Sequence, residues 1–319
     1  VQVCLWHDLR TTDALEPYRS GVAAALARPI DPPPGAIRML AVSTTLSAPE
    51  FTALAGIAVT PGPALAVWQI AVLGLAVLVS AAAAGGFNQY MERDLDAVMR
   101  RTRDRPFVSG FFTHGPVWLL VLAGMLGLSV AATAWATNLA AALYVFLGAF
   151  FYGVVYTVWL KRRTPLNIVI GGLAGSFAIL AGASAVTPEM QTLPLLFALV
   201  LFLWTPSHFW SFAIAMHEDY ARARVPMLPV VIGDRGAARI VLMNTFMLVT
   251  ASLVPFWFGM GGVYLVAAVA GGALFLRANV RMLRAPGRAT AMASFHASLL
   301  QLTLVLSGAM LDAQLAAAL

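Results

Sequence analysis

Three polar residues spaced four apart follow a long apolar run and are suited to binding a metal ion. The run at 65–87 carries no charge, and Asn88, Glu92 and Asp96 come directly after it. Because an α-helix turns by about 100° per residue, these three positions lie on one side of a helix. An amide and two carboxylates there suit Mg²⁺, which completes its shell with water and substrate phosphate. Asp94 points away from that side and is the weaker candidate.

Arginines close behind these residues indicate a phosphate-binding site. They lie within residues 93–105 and comprise Arg93, Arg100, Arg101, Arg103 and Arg105. The planar guanidinium group matches phosphate oxygens with paired hydrogen bonds. The stretch 88–106 therefore combines acidic residues that could bind a metal ion with basic residues that could bind a diphosphate. A second interpretation stays open, in which these arginines only mark the orientation of a membrane protein.

A second polar segment, Lys161 to Arg163, follows another apolar run and precedes the glycine-rich sequence 171–175. Lys161 and Arg162 are equally compatible with a topology signal and with diphosphate binding. Small residues let helices approach closely in a bilayer. We therefore favour helix packing over a phosphate-binding loop for these glycines.

A third polar segment places carboxylates, histidines and arginines together. Its members are His208, His217, Glu218, Asp219, Tyr220, Arg222 and Arg224. Ionisable residues at a membrane are functional candidates, and a diphosphate bridged by two metal ions requires two acidic groups. Glu218 and Asp219 are the candidates for the second group. His208 stands in apolar sequence, where we favour a hydrogen-bonded core histidine over a ligand.

Composition shows which elements must position these residues. The chain has 319 residues, 60% of them hydrophobic and 11% charged, against about 25% charged in soluble domains. This composition predicts an all-α polytopic membrane protein in a lipid bilayer. The formal charge of +6 indicates membrane topology rather than nucleic-acid binding. The single cysteine, Cys4, excludes an intramolecular disulfide framework and a cysteine-based metal site.

A membrane helix needs about 20 mostly apolar residues, and that length predicts about nine spans. The first, 37–59, is weak because Pro49 and Glu50 interrupt it. The clearer spans are 65–87, 116–136, 138–160, 165–187, 193–216, 238–258, 262–282 and 290–311.

Basic residues predict the orientation of these spans. They cluster at 93–105, 161–163, 222–239 and 277–288, whereas the alternate connections near 61, 137, 189 and 260 hold none. Under the positive-inside rule, the connections that hold these four basic clusters face the cytoplasm, and the C-terminus lies outside. All the candidate chemistry then shares one side of the membrane.

The first 36 residues differ from the rest, because their charges follow no period and they end in a proline run, 32–34. They lack a basic start followed by an apolar core, so no cleavable signal peptide is predicted. The chain begins at Val1, and we interpret 1–36 as a disordered tail or a misassigned start. Residues 37–319 are predicted to form one transmembrane domain.

Several stretches resemble the UbiA prenyltransferase superfamily of nine-helix intramembrane enzymes, and within it the haem O synthases, or protoheme IX farnesyltransferases. The matching stretches are FTALAG (51–56), NQYMERDLDAVMRRTRDRP (88–106), YTVWLKRRTPLNIVIGGLAG (156–175), LWTPSHFW (203–210) and DYARARVPMLPVV (219–231). The combination of the last three is specific to the haem O synthases.

The resemblance implies transfer of a farnesyl group from farnesyl diphosphate to a vinyl group of haem B, giving haem O and diphosphate. It implies Mg²⁺ as cofactor, a bacterial inner membrane as the location, and haem A synthase or cytochrome oxidase assembly proteins as partners. It assigns catalytic roles to Asn88, Glu92, Asp96, Glu218 and Asp219. Among these, Asn88, Glu92 and Asp96 would bind Mg²⁺, and Asp219 with Glu218 would bind a second metal ion. Its substrate-binding residues are Arg103, Arg105, Lys161, Arg162, His208 and Tyr220.

The chain departs from the family pattern at some positions. It lacks the usual Lys-Pro-Arg sequence before Phe51 and the usual basic loop at 111–118, and Arg224 stands where a glycine is expected. Three other functions remain open: a quinone-type aromatic acceptor, an inactive relative, and a transporter or membrane scaffold. A transporter would more often carry ionisable groups at mid-membrane, whereas here they cluster at one surface.

Overall fold

The structure, a computed structural model, describes residues 48–318, which form helices and no strand. The helices in chain order are α1 (Ala48–Ala58), α2 (Val67–Met91), α3 (Arg93–Val98), α4 (Val117–Ala136), α5 (Leu139–Phe150), a π-helix (Phe151–Leu160), α6 (Asn167–Gly171), α7 (Leu173–Val186), α8 (Thr192–Ala215), α9 (His217–Arg222), α10 (Leu228–Leu253), a 3₁₀-helix (Val254–Phe258), α11 (Gly262–Arg284) and α12 (Arg288–Ala318). The predicted all-α fold is confirmed.

Eight helical segments of the described part of the chain are long and apolar enough to cross a membrane. This number is close to the predicted nine. Of the weak first span, 37–59, only residues 48–59 are described, and the remainder lies outside the described residues. The proposed boundary between a tail at 1–36 and the membrane domain also falls outside them.

The seventh predicted span, 238–258, begins earlier than its sequence suggested. Helix α10 starts at Leu228, with Pro229 in its first turn, and not near 238. Gly233 interrupts it with φ 76°, a conformation that glycine adopts without a steric penalty. The short turn before Gly233 is therefore a separate piece that leads into the span.

Close helix crossings hold the bundle together. Helix α1 packs on α7, and a Cβ atom at Gly182 would lie 1.9 Å from the Ala53 carbonyl oxygen. A Cβ at Gly56 would meet the Ile179 carbonyl oxygen at 2.2 Å. Side chains would separate these backbones, so this contact depends on glycine, as membrane helix interfaces commonly do.

The predicted packing role of the glycine-rich sequence agrees with the contacts made there. A Cβ at Gly171 would lie 2.9 Å from the Tyr156 ring, and a Cβ at Gly172 would lie 3.0 Å from Thr205. These glycines bring α6 against the π-helix and α8, which are the elements that border the site.

Candidate active site

The three polar segments meet in one cavity at one end of the bundle. Its volume is about 80 Å³. The lining residues are Asn88, Arg101, Arg105, Tyr152, Tyr156, Lys161, Ile168, Gly171, Thr205, Phe209 and Tyr220. Ligand pockets usually measure ~300–1,000 Å³, so side chains must move before a prenyl diphosphate can enter.

The first predicted metal ligands lie on one buried side, as their spacing predicts. Asn88, Glu92 and Asp96 are 4%, 1% and 2% exposed, whereas Asp94 is exposed. Helix α2 ends at Met91, yet the Glu92 amide bonds to the Asn88 carbonyl and the Asp96 amide to the Glu92 carbonyl. These i−4 hydrogen bonds carry the helical register across the break into α3. Their metal-binding role stays a prediction.

Both buried carboxylates form ion pairs with basic side chains. Lys161 Nζ lies 2.5 Å from Glu92 Oε2, and Arg105 donates to Asp96 Oδ2 at 2.7 Å. Burial raises the pKa of the Asp96 carboxyl, although Arg105 and Lys161 act against this. Burial likewise lowers the pKa of Lys161, against the effect of Glu92. Each charge therefore depends on its partner in a poorly solvated site.

The donor atoms in this corner fit a hard cation such as Mg²⁺. Glu92 Oε1 is buried without a hydrogen-bond partner among the described residues. Asn88 donates its amide Nδ2 to Thr157 Oγ1 at 3.0 Å, which leaves its carbonyl oxygen for a ligand. Within residues 48–318, no three His, Cys, Asp or Glu side chains form a metal site by themselves. Substrate phosphate and water would complete the shell, as is usual for Mg²⁺.

The predicted second acidic group does not join this corner in the structure. Asp219 is buried but pairs with Arg222 at 3.3 Å and does not line the cavity, and Glu218 is exposed. Tyr220, the third predicted residue of this segment, does line it. Of the three, only Tyr220 lines the cavity, where it accepts a hydrogen bond from Arg101.

The structure places Arg101 at the cavity, whereas the diphosphate-binding role predicted for Arg103 stays a prediction. Arg103 is exposed and is not part of the cavity wall, whereas Arg101 lines the cavity and donates to Tyr220 Oη at 3.3 Å. The Arg101 guanidinium also lies 5.4 Å from the Tyr220 ring centre and 5.6 Å from that of Phe212. Arg101 was one of five arginines with the same local signal, and only tertiary packing separates them.

Arg162 lies outside the cavity. It donates two hydrogen bonds of 2.7 Å to the Asp94 carboxylate, and both residues are exposed. The hydrogen bond from Arg162 lowers the pKa of Asp94. This pair ties the loop after the π-helix to α3, while the substrate-binding role assigned to Arg162 stays a prediction.

His208 lies on α8, in the core of the helix bundle. It is fully buried between the Trp204 and Phe295 rings, at 4.2 and 4.3 Å, and its Nδ1 lies 2.7 Å from Ser298 Oγ. Its neighbours Thr205 and Phe209 line the cavity instead. This setting matches the favoured core-histidine interpretation, and the predicted haem contact stays untested.

A ten-residue π-helix positions the far wall of the site. In this rare helix the backbone bonds reach five residues back, as in the bond from the Lys161 amide to the Tyr156 carbonyl. Tyr152, Tyr156 and Lys161 all line the cavity. On an α-helix Lys161 would be turned about 140° away from Tyr156. Sequence reasoning missed both tyrosines because it assumed α-helical periodicity.

Comparisons with known proteins agree with this architecture. The described residues form a bundle of helices long and apolar enough to cross a membrane, with cations on a cavity wall at one end and buried carboxylates paired to two of them. The chain belongs to the UbiA prenyltransferase family, whose model matches residues 51–304.

A curated relative carries a more particular name. Protoheme IX farnesyltransferase 2 of Paramagnetospirillum magneticum is 54% identical over 266 residues, covering 83% of this chain and 92% of the relative.

Solved structures share the fold. A digeranylgeranylglyceryl phosphate synthase superposes with a TM-score of 0.70 at 17% identity, covering 84% of this chain and 94% of the other. A UbiA homologue from Archaeoglobus fulgidus, solved with DMAPP and Mg²⁺, gives 0.62 at 17% identity and covers 81% and 94%. The chain is therefore a multi-pass membrane protein with the UbiA fold.

Proposed function

We propose that this chain transfers the farnesyl group of farnesyl diphosphate to a vinyl group of haem B, giving haem O and diphosphate. The observation that carries the chemistry is that three cations, Arg101, Arg105 and Lys161, line one cavity. Two of them pair with buried carboxylates, Arg105 with Asp96 and Lys161 with Glu92. The relative from P. magneticum, named a protoheme IX farnesyltransferase, supports the choice of donor and acceptor.

The residues would work by exchanging ion-pair partners. Lys161 and Arg105 leave Glu92 and Asp96 and turn to the diphosphate, where Arg101 is already oriented by Tyr220. These three cations stabilise the leaving group as charge develops on it. Asn88, Glu92 and Asp96 would hold Mg²⁺, which when bound neutralises part of the diphosphate charge. The Mg²⁺-bound structure from A. fulgidus supports this choice of metal.

Aromatic rings would protect the reacting carbon. Tyr152 and Tyr156 are stacked 5.7 Å apart on the cavity wall, and Tyr156 already faces the Lys161 ammonium at 5.6 Å. A ring face that accommodates a cation also stabilises positive charge on the first farnesyl carbon. As the C–O bond to diphosphate breaks, the vinyl group forms the new C–C bond, water adds to the haem side and a proton is released.

We place the site on the cytoplasmic side of a bacterial inner membrane, with the C-terminus outside. The basic clusters support this orientation. An impermeant thiol reagent applied from outside should label a Cys4→Ser protein carrying Met190→Cys, but not one carrying Ala285→Cys. The reverse pattern would show the opposite orientation. Haem A synthase and cytochrome oxidase assembly proteins are expected partners because they use the product, and co-purification tests this.

The decisive test offers two acceptors at once. Nanodiscs containing the protein receive farnesyl diphosphate, haem B and an aromatic acid acceptor, with Mg²⁺ or with a chelator, and products are identified by mass. The proposal predicts haem O only in the Mg²⁺ sample. A farnesylated aromatic acid without haem O would identify a different acceptor, and no product would indicate an inactive relative.

A further inference from the structure

Positive charge is unbalanced in the C-terminal three helices. Between Asp234 and Asp312 the sequence has no acidic residue and six arginines, which we call the arginine patch: Arg235, Arg239, Arg277, Arg281, Arg284 and Arg288. All six are exposed. None of them forms an ion pair within the described residues.

The other basic clusters differ, because acidic side chains pair with some of their cations. Lys161 pairs with Glu92, Arg105 with Asp96, Arg162 with Asp94 and Arg222 with Asp219. The exposed guanidinium groups of the arginine patch are therefore available to an external anion.

On α11 the arginines continue a lipid-facing apolar stripe. At 100° per residue, 266, 270, 274, 277, 281 and 284 fall within a sector of about 80°. Val266 and Leu274 are 70% and 43% exposed, as expected of side chains in contact with lipid. Towards one end of the helix, Arg277, Arg281 and Arg284 take the place of the apolar side chains in this stripe.

Helix α10 shows the same change from apolar to basic side chains. Arg235 and Arg239 are followed at four-residue intervals by Met243 and Met247, which are 68% and 56% exposed. Asn279 donates to Thr245 Oγ1 at 3.1 Å, which sets the two antiparallel helices side by side. Arg239 and Arg284 then lie at nearly equal depth, about 9 and 8 Å beyond that bond.

The depth of Arg277 identifies the kind of anion. It lies about 10 Å along the axis from Arg284, on the side that also presents Leu274. A soluble acidic protein cannot reach a side chain beside the acyl chains. A lipid phosphate can, because a long arginine side chain extends along the helix to the headgroup region.

We propose that the arginine patch binds the phosphate headgroups of anionic phospholipids. This inference is independent of the farnesyl transfer, since it concerns the lipid-facing ends of α10, α11 and α12 and not the cavity. Clustered basic residues at membrane helix ends attract anionic lipid, each contributing about fivefold in binding.

Native mass spectrometry of protein taken from nanodiscs of mixed phosphatidylcholine and phosphatidylglycerol tests the proposal. The wild type should retain phosphatidylglycerol preferentially, and Arg277→Gln should lower that retention about fivefold. The triple change Arg277→Gln, Arg281→Gln and Arg284→Gln should abolish the preference. Arg277→Lys should keep most of it.

A control with the same loss of charge carries Arg93→Gln, Arg100→Gln and Arg163→Gln, all at exposed positions outside the patch, and should retain phosphatidylglycerol. Wild-type protein without a preference for phosphatidylglycerol would overturn the proposal, as would equal loss in the control and patch variants. Displacement of phosphatidylglycerol by equimolar free diphosphate would assign the patch to a soluble anion instead. Arg277→Gln alone decides the matter if the triple variant does not fold.

Discussion

Asp94 and Asp96 are two residues apart and have opposite surroundings. Asp96 is buried against Arg105, whereas Asp94 is exposed and held by Arg162. The sequence predicted this difference from helical spacing alone, because the i, i+4, i+8 rule needs no tertiary information. It could not separate Arg101 from Arg103, since which of them reaches Tyr220 depends on packing against α9.

Asp96→Ala should abolish transfer without unfolding the protein, whereas Asp94→Ala should be milder. Asp96 is a candidate metal ligand that pairs with Arg105 of the cavity wall, and loss even of a group that only supports a metal ligand commonly costs 10–100-fold. The measurement is the rate of haem O formation, with size-exclusion profiles to establish folding. An equal loss of transfer activity in Asp96→Ala and Asp94→Ala would contradict the prediction that the helix side carrying Asn88, Glu92 and Asp96 binds the metal ion.

Arg101→Gln should weaken the use of farnesyl diphosphate about tenfold or more, because a charged hydrogen bond contributes ~1.5–3 kcal/mol. Arg103→Gln is the matched control and should change the rate little. The measurement is kcat/KM for farnesyl diphosphate at saturating haem B. A larger loss of kcat/KM from Arg103→Gln would instead identify Arg103 as the diphosphate ligand.

Arg224 adopts a backbone conformation that normally belongs to glycine. It is the one non-glycine described residue with positive φ, 53°, and it follows α9. The Val225 amide bonds to the Tyr220 carbonyl and the Arg224 amide to the Ala221 carbonyl, a helix ending in which glycine is usual. The departure found in the sequence therefore has a structural cost.

Arg224→Gly should stabilise the protein by up to about 1 kcal/mol, since it removes the left-handed penalty of a side chain. Thermal unfolding in the same detergent measures this, with exposed Arg163→Gly as the control. A lower unfolding temperature for Arg224→Gly would show that contacts of the arginine outweigh the backbone strain.

At the scale of elements, the π-helix is what sequence reasoning could not predict. The length of the apolar run located this span at 138–160, and the structure ends it at Leu160. The switch from α to π bonding leaves no compositional signal, yet it decides which residues face the cavity. The sequence therefore predicted the span, but not which of its residues face the cavity.

Exchanging Leu160 and Lys161 should reduce transfer at least tenfold, because the π-helical register directs position 161, and not 160, towards Glu92. Lys161→Leu gives the reference for complete loss of the lysine. Exchange of exposed Val158 and Trp159 should leave transfer nearly unchanged. Wild-type rates from the Leu160/Lys161 exchange would mean that the register does not position the lysine.

At the scale of the whole molecule, composition and span length predicted most of the architecture. Seven of the clear spans lie close to their predicted limits, and the eighth, α10, was missed at its start because Gly233 and its polar neighbours resemble a loop. The meeting of three distant polar segments was expected only as a shared side of the membrane. Their closure into one cavity depends on helix packing that no local pattern encodes.

The central claim is tested most directly by counting both products of one reaction. Haem O and released diphosphate are quantified together for the wild-type protein in nanodiscs with haem B, farnesyl diphosphate and Mg²⁺. Farnesyl transfer to haem B predicts equal amounts of the two products, and neither without Mg²⁺. Diphosphate released without haem O, in a preparation where an active relative makes haem O, would contradict it.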